Sequence, residues 1–129
     1  MEKEKTCKIV FSDIDGTLLT SDGQITEGTK EMILNLEKKG IPFILTSARS
    51  PEGVRVIKRM LGNHAPIIAF CGGLILDNDG NEIYSKRIPL KRALELKAML
   101  DKDFPAVACN TFGGEKWIVD DRDDWREQR

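Results

Sequence analysis

The chain of 129 residues has few of the side chains that build disulfide frameworks or zinc sites. It contains one histidine, His64, and three cysteines, Cys7, Cys71 and Cys109, which are odd in number and widely spaced. Disulfide-rich domains carry even sets of cysteines, and zinc sites need cysteine or histidine ligands at short spacings. The sequence therefore argues against both, and it predicts a reducing, cytoplasmic environment.

Long apolar runs and an excess of one charge are also missing. No apolar stretch has the length of a membrane span, and the charged start, Met1 to Lys5, does not resemble a signal peptide. Lysine and arginine number 20 against 21 for aspartate and glutamate. Because polyanions and membrane surfaces attract strongly basic proteins, we expect neither a nucleic-acid nor a membrane partner. The length suits one domain with a modest core.

The most informative stretch is Ile9 to Leu19, in which an apolar, β-branched run ends in Asp13 and Asp15. The apolar part predicts a buried strand followed by a tight turn. Alternation along the strand would place both carboxylates on one side at its carboxyl end, where Gly16 lets the backbone turn away. An ordinary Asp-Gly turn is the alternative interpretation. It does not explain two acids, which repel each other unless a cation or a proton lies between them.

Two more buried strands follow in the sequence, each after a helix. The helices are predicted to begin at Thr26 and Ser50, and the strands cover Ile41 to Leu45 and Ile67 to Phe70. This alternation predicts right-handed crossovers and a parallel sheet with flanking helices. Such sheets bind ligands beyond the carboxyl ends of their strands. All three strands end in polar or small residues: the two aspartates, Ser47, and Cys71 to Gly73.

The pattern changes after the third strand. Residues Leu74 to Lys86 predict a β-hairpin with an Asp-Gly turn. An amphipathic helix from Pro89 to Asp101 follows, and a second hairpin joins Val107–Phe112 to Lys116–Val119. The helix is expected to turn four apolar side chains inward: Leu90, Ala93, Leu94 and Ala98.

The segment Asp-Ile-Asp-Gly-Thr-Leu-Leu, from Asp13 to Leu19, resembles the first motif of the haloacid dehalogenase superfamily. Over a longer stretch, the sequence resembles the superfamily's Cof-type branch of sugar-phosphate and cofactor phosphatases. The resemblance implies an α/β fold, with a partial Rossmann-like core over residues 1–86, including the hairpin 74–86, and a partial α/β cap over residues 87–129. The chain would then cover about the first half of the family's usual length and stop inside the cap. Trp117 is expected in the cap core.

The resemblance implies a magnesium-dependent phosphohydrolase that acts on a small phosphorylated metabolite through an aspartyl-phosphate. Asp13 would be the nucleophile and Asp15 the general acid and base, and both would be Mg²⁺ ligands. Ser47 lies in a Ser-Ala-Arg triplet that resembles the branch's Thr-Gly-Arg, and its hydroxyl would bind phosphate. The backbone N–H groups of Gly16 and Thr17 would help to hold the phosphate. Ser47 as a plain capping residue is the alternative.

Two family motifs follow the cap in chain order: a lysine that neutralises the site and an acidic pair that completes the metal site. Asp120 and Asp121 are weaker candidates for that acidic pair, with Lys116 or Lys86 for the lysine. We therefore expect little or no turnover from this chain. The alternatives are a non-catalytic interaction module and a phosphomutase or phosphotransferase of the same superfamily.

Two further expectations concern the core. Without the family's last strands, the first strand, Lys8 to Ser12, would be an exposed edge. We expect this edge to pair with a second copy in a homodimer or to be covered by cap residues. Cys71 stands where the branch more often has asparagine, and a small buried thiol is expected there rather than a nucleophile.

Overall fold

A computed structural model describes residues 7–114 and 116–119 of the chain. The chain divides between Lys86 and Arg87 into two compact units. This division falls at the boundary expected from the sequence, and the assignment of the units as core and cap stays a prediction. Within the described ranges, no helix is long and apolar enough to cross a membrane.

The first unit is built on a five-stranded sheet with the strands in chain order. The strands are β1 (Val10–Asp13), β2 (Phe43–Thr46), β3 (Ile67–Ala69), β4 (Leu74–Leu76) and β5 (Glu82–Ser85). The first three strands are parallel, whereas β4 and β5 are antiparallel to their neighbours. The predicted α/β fold, with a parallel sheet followed by a hairpin, is confirmed.

Two helices connect the parallel strands, α1 (Glu27–Lys38) and α2 (Pro51–Leu61). Thr26 and Ser50 cap them, because each side-chain oxygen accepts a hydrogen bond from a backbone N–H in the first turn. Gly62 ends α2 at φ 78°, a left-handed conformation that glycine adopts without steric cost. Both predicted helix starts are confirmed.

The core of the first unit lies between the sheet and these helices. Its buried side chains come from the turn after β1, from the inner strands and from one face of α2. They include Ile14, Leu45, Val54, Leu61, Ile67 and Leu76. Each stabilises the fold by about 1.5–3 kcal/mol relative to an exposed side chain. Ile14 is fully buried although it lies between two aspartates, so it anchors the turn that carries them.

Strand β1 lies at one edge of the sheet, as the sequence predicted. The Val10 N–H donates to the Pro42 carbonyl at 2.9 Å, so the backbone groups of the alternate residues Ile9 and Phe11 face away from β2. The residue surfaces of Ile9 and Phe11 are 43% and 56% exposed. Pairing of this edge in a homodimer stays a prediction.

The second unit contains α3 (Leu90–Asp103) and an antiparallel hairpin of β6 (Asn110–Gly113) and β7 (Lys116–Val119). The predicted start of the first hairpin strand at Val107 is wrong. The Val107 N–H closes a turn onto the Phe104 carbonyl at 3.0 Å, and Pro105 inside that turn has no N–H to give to a ladder. The strand therefore begins at Asn110.

The expected inward face of α3 is also wrong. Leu90 and Leu94 are 74% and 61% exposed, Ala98 is exposed, and Ala93 is only half-buried. Trp117 is 46% exposed and stacks on Phe112 with 6.0 Å between the ring centroids. In the described part of the second unit, one helix and one two-stranded hairpin offer too little surface to bury an apolar helix face, and this explains both differences.

Candidate functional site

The candidate residues meet at the carboxyl ends of the parallel strands. Asp13, the last residue of β1, is the register partner of Thr46, the last residue of β2. Ser47 follows β2 directly, and its N–H donates to the Ile68 carbonyl of β3 at 3.0 Å. The sheet therefore brings Asp13 and Ser47 to one edge, as the sequence predicted from the order of strands and helices.

The turn after β1 presents both aspartates to solvent. It spans Ile14–Leu18 and is closed by the Leu19 N–H, which donates to the Ile14 carbonyl at 3.1 Å. Gly16 has φ 74°, so a side chain at this position would strain the backbone. Asp13 and Asp15 are exposed on either side of the buried Ile14, although β1 ends at Asp13 and Asp15 lies in the turn rather than in the strand. The Thr17 hydroxyl donates to Asp13 Oδ2 at 3.3 Å and so orients that carboxylate.

Asp15 is held by an arginine that the sequence analysis did not single out. Arg49 Nε donates to Asp15 Oδ2 at 2.9 Å, and Arg49 Nη2 donates to Asp15 Oδ1 at 2.6 Å. This two-point hydrogen bond lowers the pKa of Asp15 and raises the pKa of Arg49, so the pair is ionised at neutral pH. The available signal was the position of Arg49 as the last residue of the Ser-Ala-Arg triplet, at the same sheet edge as the two aspartates.

The backbone of Arg49 is fixed on both sides. Its N–H donates to Ser47 Oγ at 3.1 Å, and its carbonyl accepts from the Phe70 N–H at 3.0 Å. The Ser47 carbonyl accepts from the Cys71 N–H at 2.9 Å. The loops after β2 and β3 are therefore bound to each other at the site. Ser50, and not Ser47, caps α2, so the capping alternative for Ser47 is wrong. Ser47 is 5% exposed, and its contact with phosphate stays a prediction.

The loop after β3 carries two strained residues beside these contacts. Phe70 and Cys71 have φ values of 50° and 54°, in the left-handed region that L-residues other than asparagine and aspartate rarely adopt. Cys71 is exposed, so the expectation of a buried thiol is wrong. The left-handed turn leads the chain out of β3 and toward β4, and asparagine tolerates this conformation better than cysteine does.

Carboxylate and carbonyl oxygens are the donors that Mg²⁺ prefers, and Asp13 and the backbone of Asp15 offer them here. The residues that the structure describes contain no cluster of three or more histidine, cysteine or acidic side chains. Asp120 and Asp121 lie outside the described residues. Lys86 follows β5, four strand spacings or about 19 Å from β1, which is farther than a lysine side chain reaches. The described site therefore fits part of a magnesium site.

Hollows on the described part of the first unit include two of similar volume. One of about 470 Å³ includes Ser12, Thr17 and Met32 in its lining, so it borders the candidate site at Thr17. The other, of about 450 Å³, lies between the end of α2 and the turn that joins β4 to β5. That second hollow contains none of the candidate residues, and we assign it no part in the chemistry.

The sheet thus carries Asp13 at the end of its first strand, Asp15 in the turn that follows, and Ser47 directly after its second strand. The chain belongs to the haloacid dehalogenase-like hydrolase family, whose sequence pattern matches residues 10–129. It is 36% identical over 124 residues to a Haemophilus influenzae protein named "Putative phosphatase", covering 89% of this chain and 47% of that protein. The chain thus spans about half the length of the curated relatives that it matches.

One further relative and one solved structure are also similar to this chain. Phosphoglycolate phosphatase of Thermoplasma volcanium is 38% identical over 74 residues, covering 57% of this chain and 33% of that protein. The crystal structure of a haloacid dehalogenase-like hydrolase from Bacteroides thetaiotaomicron matches with a TM-score of 0.82 and 21% identity. That match covers 92% of this chain and 46% of the other, and it supports the fold alone.

Proposed function

We propose that the protein is a cytoplasmic, magnesium-dependent phosphohydrolase that acts on a small phosphorylated metabolite through an aspartyl-phosphate on Asp13. The observation that carries the proposal is the pair of exposed aspartates at the carboxyl edge of the sheet, one oriented by Thr17 and the other ion-paired with Arg49. Family membership and the names of the relatives support phosphatase chemistry.

In the proposed reaction an Asp13 carboxylate oxygen attacks phosphorus, and the bond from phosphorus to the leaving oxygen breaks. Asp15, in its protonated form, gives its proton to the leaving oxygen. In the second step Asp15 takes a proton from water as that water attacks phosphorus and releases Asp13. Bound Mg²⁺ would offset the repulsion between the phosphate and the carboxylates.

The phosphate oxygens would be held by groups at the same edge. Gly16 and Thr17 offer backbone N–H groups in the turn after β1, where the left-handed Gly16 bends the chain. The Ser47 hydroxyl accepts from the Arg49 N–H and keeps its own hydrogen to donate. Such donors gain value as charge develops on the phosphoryl oxygens.

We expect weak or no steady-state turnover from this chain, so the test follows phosphoryl transfer to the protein. The chain is incubated with acetyl phosphate and MgCl₂, and peptide mass spectrometry locates any phosphoryl group. Wild-type protein should carry one group on Asp13, and Asp13→Asn should carry none. Asp15→Asn, which has the same shape and charge change two residues away, should still be labelled and should lose its label more slowly.

Label that persists in Asp13→Asn would contradict the assignment of the nucleophile. Absence of label in every variant, together with a melting temperature that magnesium and phosphate leave unchanged, would favour a non-catalytic module. Transfer of the label to an added sugar instead of water would favour a phosphotransferase. Rapid turnover of p-nitrophenyl phosphate, abolished by Asp13→Asn, would overturn only the expectation of weak activity.

A further inference from the structure

The ion pair between Arg49 and Asp15 conflicts with the role proposed for Asp15. Both carboxylate oxygens of Asp15 accept hydrogen bonds from one guanidinium group. A carboxylate held in this way has no proton to give, and the guanidinium group occupies one acceptor position on each of its oxygens. The described conformation therefore differs from the one in which Asp15 would act.

We propose that Arg49 is a latch on Asp15 that is released by the ligand: the substrate's phosphate takes the guanidinium group away from Asp15. This inference rests on the proposed function. Arg49 then binds the phosphate, and Asp15 becomes free to act on the leaving group. Arg49 is thus a phosphate-binding residue whose partner changes from a carboxylate to a phosphate when the site fills.

The geometry allows this exchange without movement of the backbone. The Arg49 N–H is bonded to Ser47 Oγ in its own loop, and its carbonyl is bonded to the Phe70 N–H in the loop after β3, so the backbone is held while the side chain turns. The side chains of Arg49 and Asp15 are 36% and 58% exposed, so an anion from solvent can reach the pair. Exposed ion pairs contribute little net stability, and the exchange therefore costs little. Guanidinium groups bind phosphate and carboxylate with the same two-point geometry.

The charges favour the exchange as well. Asp13 and Asp15 are two acidic side chains of one turn, and Arg49 is the cation that the structure places against Asp15. A phosphate group that enters beside Asp13 adds further negative charge and competes directly for the one guanidinium group. Arg49 therefore couples the arrival of phosphate to the release of Asp15.

The test measures binding of inorganic phosphate by ¹⁵N-resolved NMR titration in magnesium-free buffer, so that changes in metal ligation do not contribute. Wild type, Asp15→Asn, Arg49→Gln and the double variant form a cycle. Asp15→Asn leaves Arg49 without its ionised partner, so it should bind phosphate about two- to fivefold more tightly than wild type, the range expected for an exposed ion pair. In the Arg49→Gln background this gain should fall to the gain that loss of one negative charge gives by itself, which Asp13→Asn measures. The Arg49 Nε–H signal should shift as phosphate is added to wild type.

Asp13→Asn is the matched control, because it removes an equal charge two residues away from Asp15. The Asp13 carboxylate accepts a hydrogen bond from the Thr17 hydroxyl. Any gain in phosphate affinity from Asp13→Asn should be the same with and without Arg49. An Asp15→Asn gain of the same size with and without Arg49 would overturn the latch and leave the proposed function standing. Failure of every folded variant to bind phosphate, both in this buffer and after MgCl₂ is added, would overturn both.

Discussion

Replacing Cys71 by glycine should stabilise the protein, although glycine usually weakens a fold. Cys71 has φ 54°, and it follows Phe70, which has φ 50°. Its N–H is hydrogen-bonded to the Ser47 carbonyl, so the strained conformation is held in place by the candidate site. Glycine adopts left-handed angles without a clash between Cβ and the carbonyl oxygen.

The expected size follows from two opposing terms. A left-handed L-residue costs about 1–2 kcal/mol, and glycine relieves this cost. Glycine in turn adds freedom to the unfolded chain, which costs about 0.5–1 kcal/mol. Because the Cys71 side chain is exposed, its removal loses little buried surface. We expect the free energy of unfolding to rise by about 0.5–1 kcal/mol.

Urea denaturation followed by circular dichroism measures this change. Cys71→Ala is the control, because it removes the sulfur and keeps the Cβ atom, and its free energy of unfolding should stay within about 0.5 kcal/mol of wild type. Cys71→Asn should fall between alanine and glycine, since asparagine tolerates the left-handed region. A glycine variant less stable than the alanine variant would refute the argument that this loop is strained.

Three other outcomes follow from the described contacts. Ser50→Ala removes the N-cap of α2 and should lower the free energy of unfolding by about 1 kcal/mol, measured in urea. The lowered pKa of Asp15 makes its pair with Arg49 stabilising above the ordinary value of 3.8, and this contribution should be lost as the pH falls through the lowered pKa. Because the pair is exposed, its contribution to the free energy of unfolding should stay below about 1 kcal/mol. Arg49→Gln should abolish this contribution. A pH dependence of unfolding that is the same in Arg49→Gln as in wild type would contradict the role of the ion pair. Light scattering should show a wild-type homodimer that Phe11→Lys converts to a monomer, and a wild-type monomer would contradict pairing through β1.

The local features of the first unit could be predicted because neighbouring residues determine them. Thr26 and Ser50 act as caps through bonds to residues three positions away, and the polar ends of β1 and β2 follow from each strand's own sequence. The ion pair between Asp15 and Arg49 joins residues 34 positions apart, so only the sheet brings it about. The sequence shows that both residues are charged, but it does not show that they pair with each other.

The errors have a different origin. The exposure of Leu90 and Leu94 depends on how much surface the second unit offers to cover them, and this is a property of the packing rather than of the helix pattern. The exposure of Cys71 follows from left-handed angles that the loop to β4 requires. Residue type alone predicts a buried thiol there. Residue type does not show the backbone conformation of this loop, which the hydrogen bonds to Ser47 and Arg49 hold in place.

The most direct test of the whole account is a crystal structure with beryllium trifluoride and Mg²⁺, which together mimic a phosphorylated aspartate and its metal ion. We expect beryllium bonded to a carboxylate oxygen of Asp13, with the Arg49 guanidinium turned from Asp15 toward the fluorine atoms. An unmodified Asp13, with the ion pair between Arg49 and Asp15 intact and any bound beryllium trifluoride elsewhere, would contradict it.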